Sequence, residues 1–239
     1  MSDSTAPSVT VDDADGVMIV HLDDGKANAL SFATIEAITH ALDRAEADPS
    51  IGALVLHGRE GKFCAGFDLG VMRGGDVADI IRLVSDGGEL VRRLYGSPVP
   101  IVAACTGHAL AAGALLLLGC DVRVGADIDC KIGLNEVAIG MVLPAWALTI
   151  AQDRLSRRHL QRAVANAVVT DGRGAVDVGF LDEVVTADDV LGTATARARE
   201  LAALSGRAYA GTVLALRGSV LDRMAAQVTA DREADASPI

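Results

Sequence analysis

Phe63-Cys64-Ala65-Gly66-Phe67-Asp68-Leu69 joins a strand to a helix through residues with little side chain. Thr106-Gly107-His108-Ala109-Leu110-Ala111-Ala112-Gly113-Ala114 does so a second time. Small residues let a ligand approach the main chain closely, and helix N-termini present unpaired N–H groups with a favourable dipole. Two such turns facing one point would make a hole for an oxyanion. Taken singly, either turn reads first as a tight packing site. Neither is a phosphate loop, because the chain has no Gly-Lys-Ser/Thr and no Gly-x-Gly-x-x-Gly.

The segments around these turns alternate between strand and helix. Val17 to Leu22 reads as a strand closed by the turn Asp23-Asp24-Gly25. Ser31 caps a helix whose apolar stripe is Ile35, Ile38, Leu42 and Ala45, with Pro49 just past its end. Ala53 to His57, between Gly52 and Gly58, is a buried strand. Ile80, Leu83, Val84, Leu90, Val91 and Leu94 predict a helix interrupted near Gly87-Gly88. Ile101 to Cys105 and Cys120 to Val124 read as strands, and Ala109 to Leu118 as the start of a helix. Helical patterns dominate from Pro144. Thr186-Ala187-Asp188-Asp189 has the spacing of a capping box and opens a helix to about Leu204. Leu214, Leu221, Met224 and Val228 mark a last amphipathic helix. The pattern is an α/β fold with a helical C-terminal portion, divided here into a core of residues 1–200 and a helical portion of residues 201–239. Met1 to Ser8 and Asp231 to Ile239 read as loose ends.

Composition narrows the function. Hydrophobic residues make up 51% of the 239 and charged residues 22%, a globular balance. A net charge of −11 argues against sequence-independent nucleic-acid binding, which needs surplus Lys and Arg to replace counterions. Positive charge for an anionic ligand must be local, and the only lysines are Lys26, Lys62 and Lys131. Cys64, Cys105, Cys120 and Cys130 lack metal-type spacing and read as buried thiols, so no metal is expected. The strongest apolar run, Ala109 to Leu118, is about half the length that a membrane span requires. With no signal-peptide pattern either, the expectation is a cytoplasmic protein with no membrane partner.

The two turns in this order resemble the crotonase (enoyl-CoA hydratase/isomerase) superfamily. The match runs through Gly25 to Leu30, Phe63 to Leu69, Gly107 to Asp121, Ile132-Gly133-Leu134-Asn135-Glu136 and Gly179 to Val185, nearly the whole chain. The resemblance implies a Clp-type spiral of ββα units. C-terminal helices would pack it into a homotrimer or a dimer of trimers. It implies an acyl-CoA substrate, with coenzyme A entering as part of that substrate and no further cofactor. Carried onto this sequence, the backbone N–H groups of Phe67 and Ala112 hold the thioester oxygen. Lys26, Ala27 and Ala29 belong to the segment resembling the CoA-binding loop, with Lys62 a second source of charge. Ala65, Asp68, Leu69, Gly107 and Leu115 are implied as further substrate contacts.

Hydratases of this superfamily usually carry two glutamates. The second aligns with Glu136, but the first falls at Leu115, which neither accepts nor donates a proton. Isomerisation of a 3-enoyl-CoA to the 2-enoyl isomer needs one carboxylate shuttle, and Ile132 to Glu136 looks like the motif of the one-glutamate Δ3,Δ2-enoyl-CoA isomerases. Glu136 is therefore the expected acid/base. The rival readings are an unconventional hydratase and a non-catalytic acyl-CoA-binding protein. Ser97, His108 and Asp121 offer a hydrolase alternative without a nucleophile-elbow motif. His108 as a lone base and Cys64 as a nucleophile are weaker still.

Overall fold

The computed structural model describes residues 9–74 and 76–234. Six strands form the main sheet in the order β1 (Val9–Ala14), β2 (Val17–Leu22), β3 (Ala53–Gly58), β5 (Ile101–Cys105), β7 (Val122–Ala126) and β9 (Glu183–Val185). β1 runs antiparallel to β2, and the remaining pairs are parallel. A second, parallel sheet holds β4 (Gly61–Cys64), β6 (Gly107–Leu110) and β8 (Ile132–Gly133). Successive strand pairs β3–β4, β5–β6 and β7–β8 thus each give one strand to either sheet. Helices return the chain between them: α2 (Leu69–Gly74) and α3 (Val77–Gly96) after β4, and α4 (Ala112–Gly119) after β6. This is the expected spiral.

The central strands read as unbroken apolar runs because both faces are covered. Alternate residues part company at the pleat. Leu54, Leu56, Ile101 and Ala103 join a core with α1 (Phe32–Ala47), α3, α4 and α5 (Ala145–Arg154). Val55, Val102, Ala104 and Val124 pack on the opposite face against Val190, Ala194 and Ala198 of α8 (Val190–Ala202). Between α5 and α8 lie α6 (Leu160–Val164) and α7 (Gly172–Val178).

Several elements depart from expectation. α3 runs unbroken through Gly87-Gly88. Each glycine costs about 1 kcal/mol in a helix interior relative to alanine, but here they admit neighbours. A methyl group at Gly87 would stand 2.5 Å from Phe67 Cε1, and one at Gly88 would stand 2.7 Å from the Trp146 ring. The run from Ala109 to Leu118 is split: β6 ends at Leu110, and α4 begins after Ala111, whose φ of 50° turns the chain. Cys120 caps α4, so β7 starts at Val122. β1 was not foreseen, although its turn to β2 is Asp15-Gly16, both with positive φ as two-residue hairpins favour.

α9 (Gly206–Ala234) adds Leu221, Met224 and Val228 to the same core as α3 and α5, so it shares that core rather than building its own. Leu214, expected on its buried stripe, is 68% exposed. Asp231 to Ala234 continue this helix, whereas residues 1–8 and 235–239 lie outside the described residues. α9 is fastened by a buried ion pair, Arg217 Nη2 to Asp121 Oδ1 at 2.8 Å, and Arg217 also donates to the Tyr95 carbonyl at 2.9 Å. Ser31 caps α1 as expected, accepting from Thr34 N–H. Thr186 bonds the Asp189 side chain instead of the main chain, ahead of α8. Among the described residues, no helix is long and apolar enough to cross a membrane.

Candidate active site

The loop after β2 is shaped by one carboxylate. Asp24 accepts the N–H groups of Lys26 at 2.7 Å, Asn28 at 2.8 Å and Ala29 at 2.9 Å. Burial raises its pKa, but these three bonds and nearby Arg59 outweigh that and hold it below the usual carboxylate range. Asn28, at φ 52°, donates to the carbonyls of Leu22, Lys62 and Phe63 and so ties the loop to β4. The loop then pairs with the first small-residue turn. Ala65 N–H donates to Ala27 at 3.1 Å, Leu30 N–H to Gly66 at 2.8 Å, and Asp68 N–H to Leu30 at 3.2 Å. Between them lies a groove of about 530 Å³, lined by Asp24, Lys26, Ala27, Ala29, Ser31 and Thr34 on one side and by Ala65 to Gly70 on the other.

The second turn meets the first at Gly66. This glycine has φ 104°, and a methyl group there would come within 3.3 Å of Ala111 Cβ and the Leu110 carbonyl. Ala111 occupies φ 50°, ψ −120°, costly for a residue with a side chain by about 1–3 kcal/mol. Its N–H is held by the Gly133 carbonyl at 3.0 Å. That strained turn leaves Ala112 at the first position of α4. Among the described residues, neither the Phe67 N–H nor the Ala112 N–H donates to a protein acceptor. Gly113 is fixed by packing, since a side chain there would collide with the Cys64 carbonyl.

Glu136 follows β8 and closes the far side. It is 7% exposed, its Oε2 has no hydrogen-bond partner, and burial pushes its pKa up to about 7. It lines a cavity of about 350 Å³ with Leu115, Met72, Val84, Pro144 and Trp146. Ala65, Gly66, Phe67 and Leu69 line both this cavity and the groove, so the two adjoin. Leu115, 1% exposed on the first turn of α4, presents hydrocarbon to the space that holds the Glu136 carboxyl.

The structure thus places Lys26, Ala27, Ala29 and Asp68 on the groove, Leu115 and Glu136 on the cavity, and Ala65, Phe67 and Leu69 on both, whereas Ala112 lines neither. Asp68 also serves α2, accepting from Gly70 N–H at 2.6 Å. Gly107 stands apart: it lines neither cavity and is needed where β6 crosses Gly61 too closely for any side chain. Lys62 is outside the groove. The nearby basic group that sequence reasoning missed is Arg59, which bonds the Lys26 carbonyl at 2.7 Å and Asp23 at 3.2 Å. Asp24, Asn28 and Asn135 were also missed as site residues, although all three sit inside the motifs quoted above.

The rival constellations do not assemble. Ser97 donates to the Val99 carbonyl, His108 Nδ1 accepts from Lys131 N–H, and Asp121 is paired with Arg217. Cys64 is fully buried with its thiol pushed up to about 12, so it supplies no thiolate. Among the described residues, no three His, Cys, Asp or Glu side chains form a metal-binding group. A separate depression lined by His159, Arg162, Thr170 and Asp177 shares no residue with the site.

Two unpaired backbone N–H groups, a buried carboxyl and an adjoining groove are what the fold brings together here. A family model for enoyl-CoA hydratase/isomerase matches residues 12–239, and the chain belongs to that family of enzymes. The mouse mitochondrial enoyl-CoA delta isomerase 1 is 33% identical over 90% of this chain and 75% of its own. A probable enoyl-CoA hydratase from Bacillus subtilis is 30% identical over 74% of this chain and 67% of its own. The crystal structure of human mitochondrial delta3-delta2-enoyl-CoA isomerase superposes with a TM-score of 0.90 at 30% identity, covering 95% of this chain and 89% of that one. The fold is the crotonase fold.

Proposed function

We propose that this enzyme moves the double bond of a 3-enoyl-CoA to the 2-position. Glu136 removes a proton from C2, and the electrons move onto the thioester oxygen, where the Phe67 and Ala112 N–H groups hold the dienolate. The same carboxyl returns a proton at C4. The nucleotide end of coenzyme A lies along the groove beside Lys26, Ala27 and Ala29, and the acyl chain enters the cavity beyond Phe67. Coenzyme A is part of the substrate, and no other cofactor takes part. A trimer or dimer of trimers is the assembly we expect.

The observation that carries this reading is that one buried carboxyl shares its cavity with Leu115. A carboxyl with a pKa about 7 is roughly half ionised at neutral pH, so it both takes and returns a proton readily. Hydration by two carboxylates would need a second acidic group where Leu115 stands. The likeness to proteins named as isomerases supports the same choice, although relatives named hydratases match as well. The test is turnover of purified protein with a 3-enoyl-CoA and, separately, a 2-enoyl-CoA. Isomerisation should be the faster reaction. Faster hydration would overturn the assignment, and binding without either reaction would favour a sequestering protein.

A further inference from the structure

Beside the reaction cavity lies a second depression of about 250 Å³, lined by Ile80, Ile81, Val84, Ser85, Pro144 and Asp231. Val84 and Pro144 line the cavity as well, so the two adjoin. Helical spacing sets Ile81, Val84 and Ser85 on one face of α3, and Asp231 comes from the last turns of α9. Four of the six lining residues are apolar, and the other two carry polar atoms that bond nothing among the described residues. Ser85 is 0% exposed and its Oγ has no partner; the Asp231 Oδ2 is buried and has none either. The neighbouring cation does not serve Asp231, since Arg232 is held by Asp86 at 2.9 Å. Burial raises the Asp231 pKa accordingly. Buried polar groups nearly always find partners, and leaving one without costs free energy. Two such groups next to a substrate cavity point to a polar group that the substrate brings.

We propose that the acyl chain passes from the reaction cavity over Val84 and Pro144 into this depression, and that its far end carries a hydroxyl which Ser85 and Asp231 recognise. The substrate class is then an enoyl-CoA hydroxylated at the end of its chain. The proposal rests on the reading that the acyl chain occupies the cavity beside Glu136. Ile80, Ile81, Val84 and Pro144 cover the methylene groups. A hydroxyl finds a partner at either polar group, because it donates to Asp231 Oδ2 and both accepts from and donates to a serine hydroxyl. A methyl end would leave both groups without partners. An ammonium end would pair with Asp231, but stripping its hydration among apolar walls costs far more than it does for a hydroxyl. Ser85 and Asp231 do not line the cavity that holds Glu136, so they act on binding rather than on the proton transfers.

Calorimetric titration of the full chain with a series of saturated acyl-CoAs, each with and without a terminal hydroxyl, tests this without turnover. The expected result is at least tenfold tighter binding of the hydroxylated form at the best-fitting length. Ser85→Ala combined with Asp231→Ala should reduce that preference below threefold, while affinity for the plain chain stays within threefold of the parent's. Asp231→Ala alone, near the end of α9, serves if the double variant does not fold, and should lower the preference at least threefold. Ser85→Ala alone should melt no lower than the parent, because it removes a hydroxyl without a partner; a lower melting temperature would assign Ser85 to the fold and overturn its part. Equal affinities at every length would overturn the proposal and leave the depression to solvent. A preference that survives in the folded variants would overturn it too, as would tighter binding of an ammonium-tipped chain. A chain-end preference in a protein that does not isomerise would support this proposal and overturn the isomerase reading alone.

Discussion

Gly87 of α3 lies against the ring of Phe67, so closely that a methyl group on it would stand 2.5 Å from Cε1. The backbone N–H of that same Phe67 is one of the two unpaired donors that the proposed mechanism assigns to the thioester oxygen. Gly87, 20 residues beyond Phe67, therefore sets how far Phe67 can settle, and with it the position of that N–H.

Gly87→Ala is predicted to lower both stability and kcat, despite the gain of about 1 kcal/mol that alanine brings to a helix interior. Gly192 in α8 has open space around it and is the matched control: Gly192→Ala should be neutral or stabilising. Thermal unfolding and steady-state rates on both variants check this. A Gly87→Ala enzyme that melts higher and keeps its kcat would remove α3 from the account of the site.

The identity of Gly87 as a seat for Phe67 shows what the sequence hides. The turn from Phe63 to Leu69 was legible because its role is carried by the backbone of consecutive residues. The Gly87-Gly88 pair looked like a helix break because its partners, Phe67 and Trp146, are remote in sequence. β6 was hidden for a related reason: its residues merge with the small apolar run of α4, and periodicity cannot divide them without Ala111's positive φ. Gly107 has a packing role that its motif does not display, because a side chain there would collide with Gly61 across the sheet. Glu136 was readable from its motif, but its lack of a partner required the fold.

The pKa of Glu136 makes two signed predictions. Activity should rise with pH through about 7, because the base must be ionised to take the C2 proton. Stability should move the other way. The folded pKa lies above the ordinary glutamate value of 4.5, so the native state binds the extra proton between about 4.5 and 7, and stability falls as pH rises through that window, by about 3 kcal/mol in total. Glu136→Gln should remove most of this fall. Melting curves of parent and variant at pH 5 and pH 8 check it; parallel curves would contradict a carboxyl that is buried and unpaired.

Leu115→Glu should raise hydration relative to isomerisation by placing a second carboxyl in the cavity that Glu136 lines. It should also cost a few kcal/mol of stability, since position 115 is 1% exposed. Product ratios checked on the folded variant decide this. An unchanged ratio would mean that Leu115 does not govern which reaction the site performs.

Asp24→Ala should weaken coenzyme A binding about tenfold while changing kcat little, because the three N–H groups that Asp24 gathers shape the groove, and Asp24 does not line the cavity that holds Glu136. Calorimetric titration with coenzyme A, beside kcat and KM, reads this directly. A fall in kcat at constant KM would place Asp24 in the chemistry instead.

Glu136→Gln assayed with a 3-enoyl-CoA is the most direct test of the central claim, that a single buried carboxyl carries the proton between C2 and C4. The substitution keeps the shape of the side chain and removes its basicity. The prediction is a folded enzyme that still binds coenzyme A but isomerises at least a thousandfold more slowly, within the range typical of a lost acid/base group. Isomerisation at the parent rate in that variant would contradict the claim.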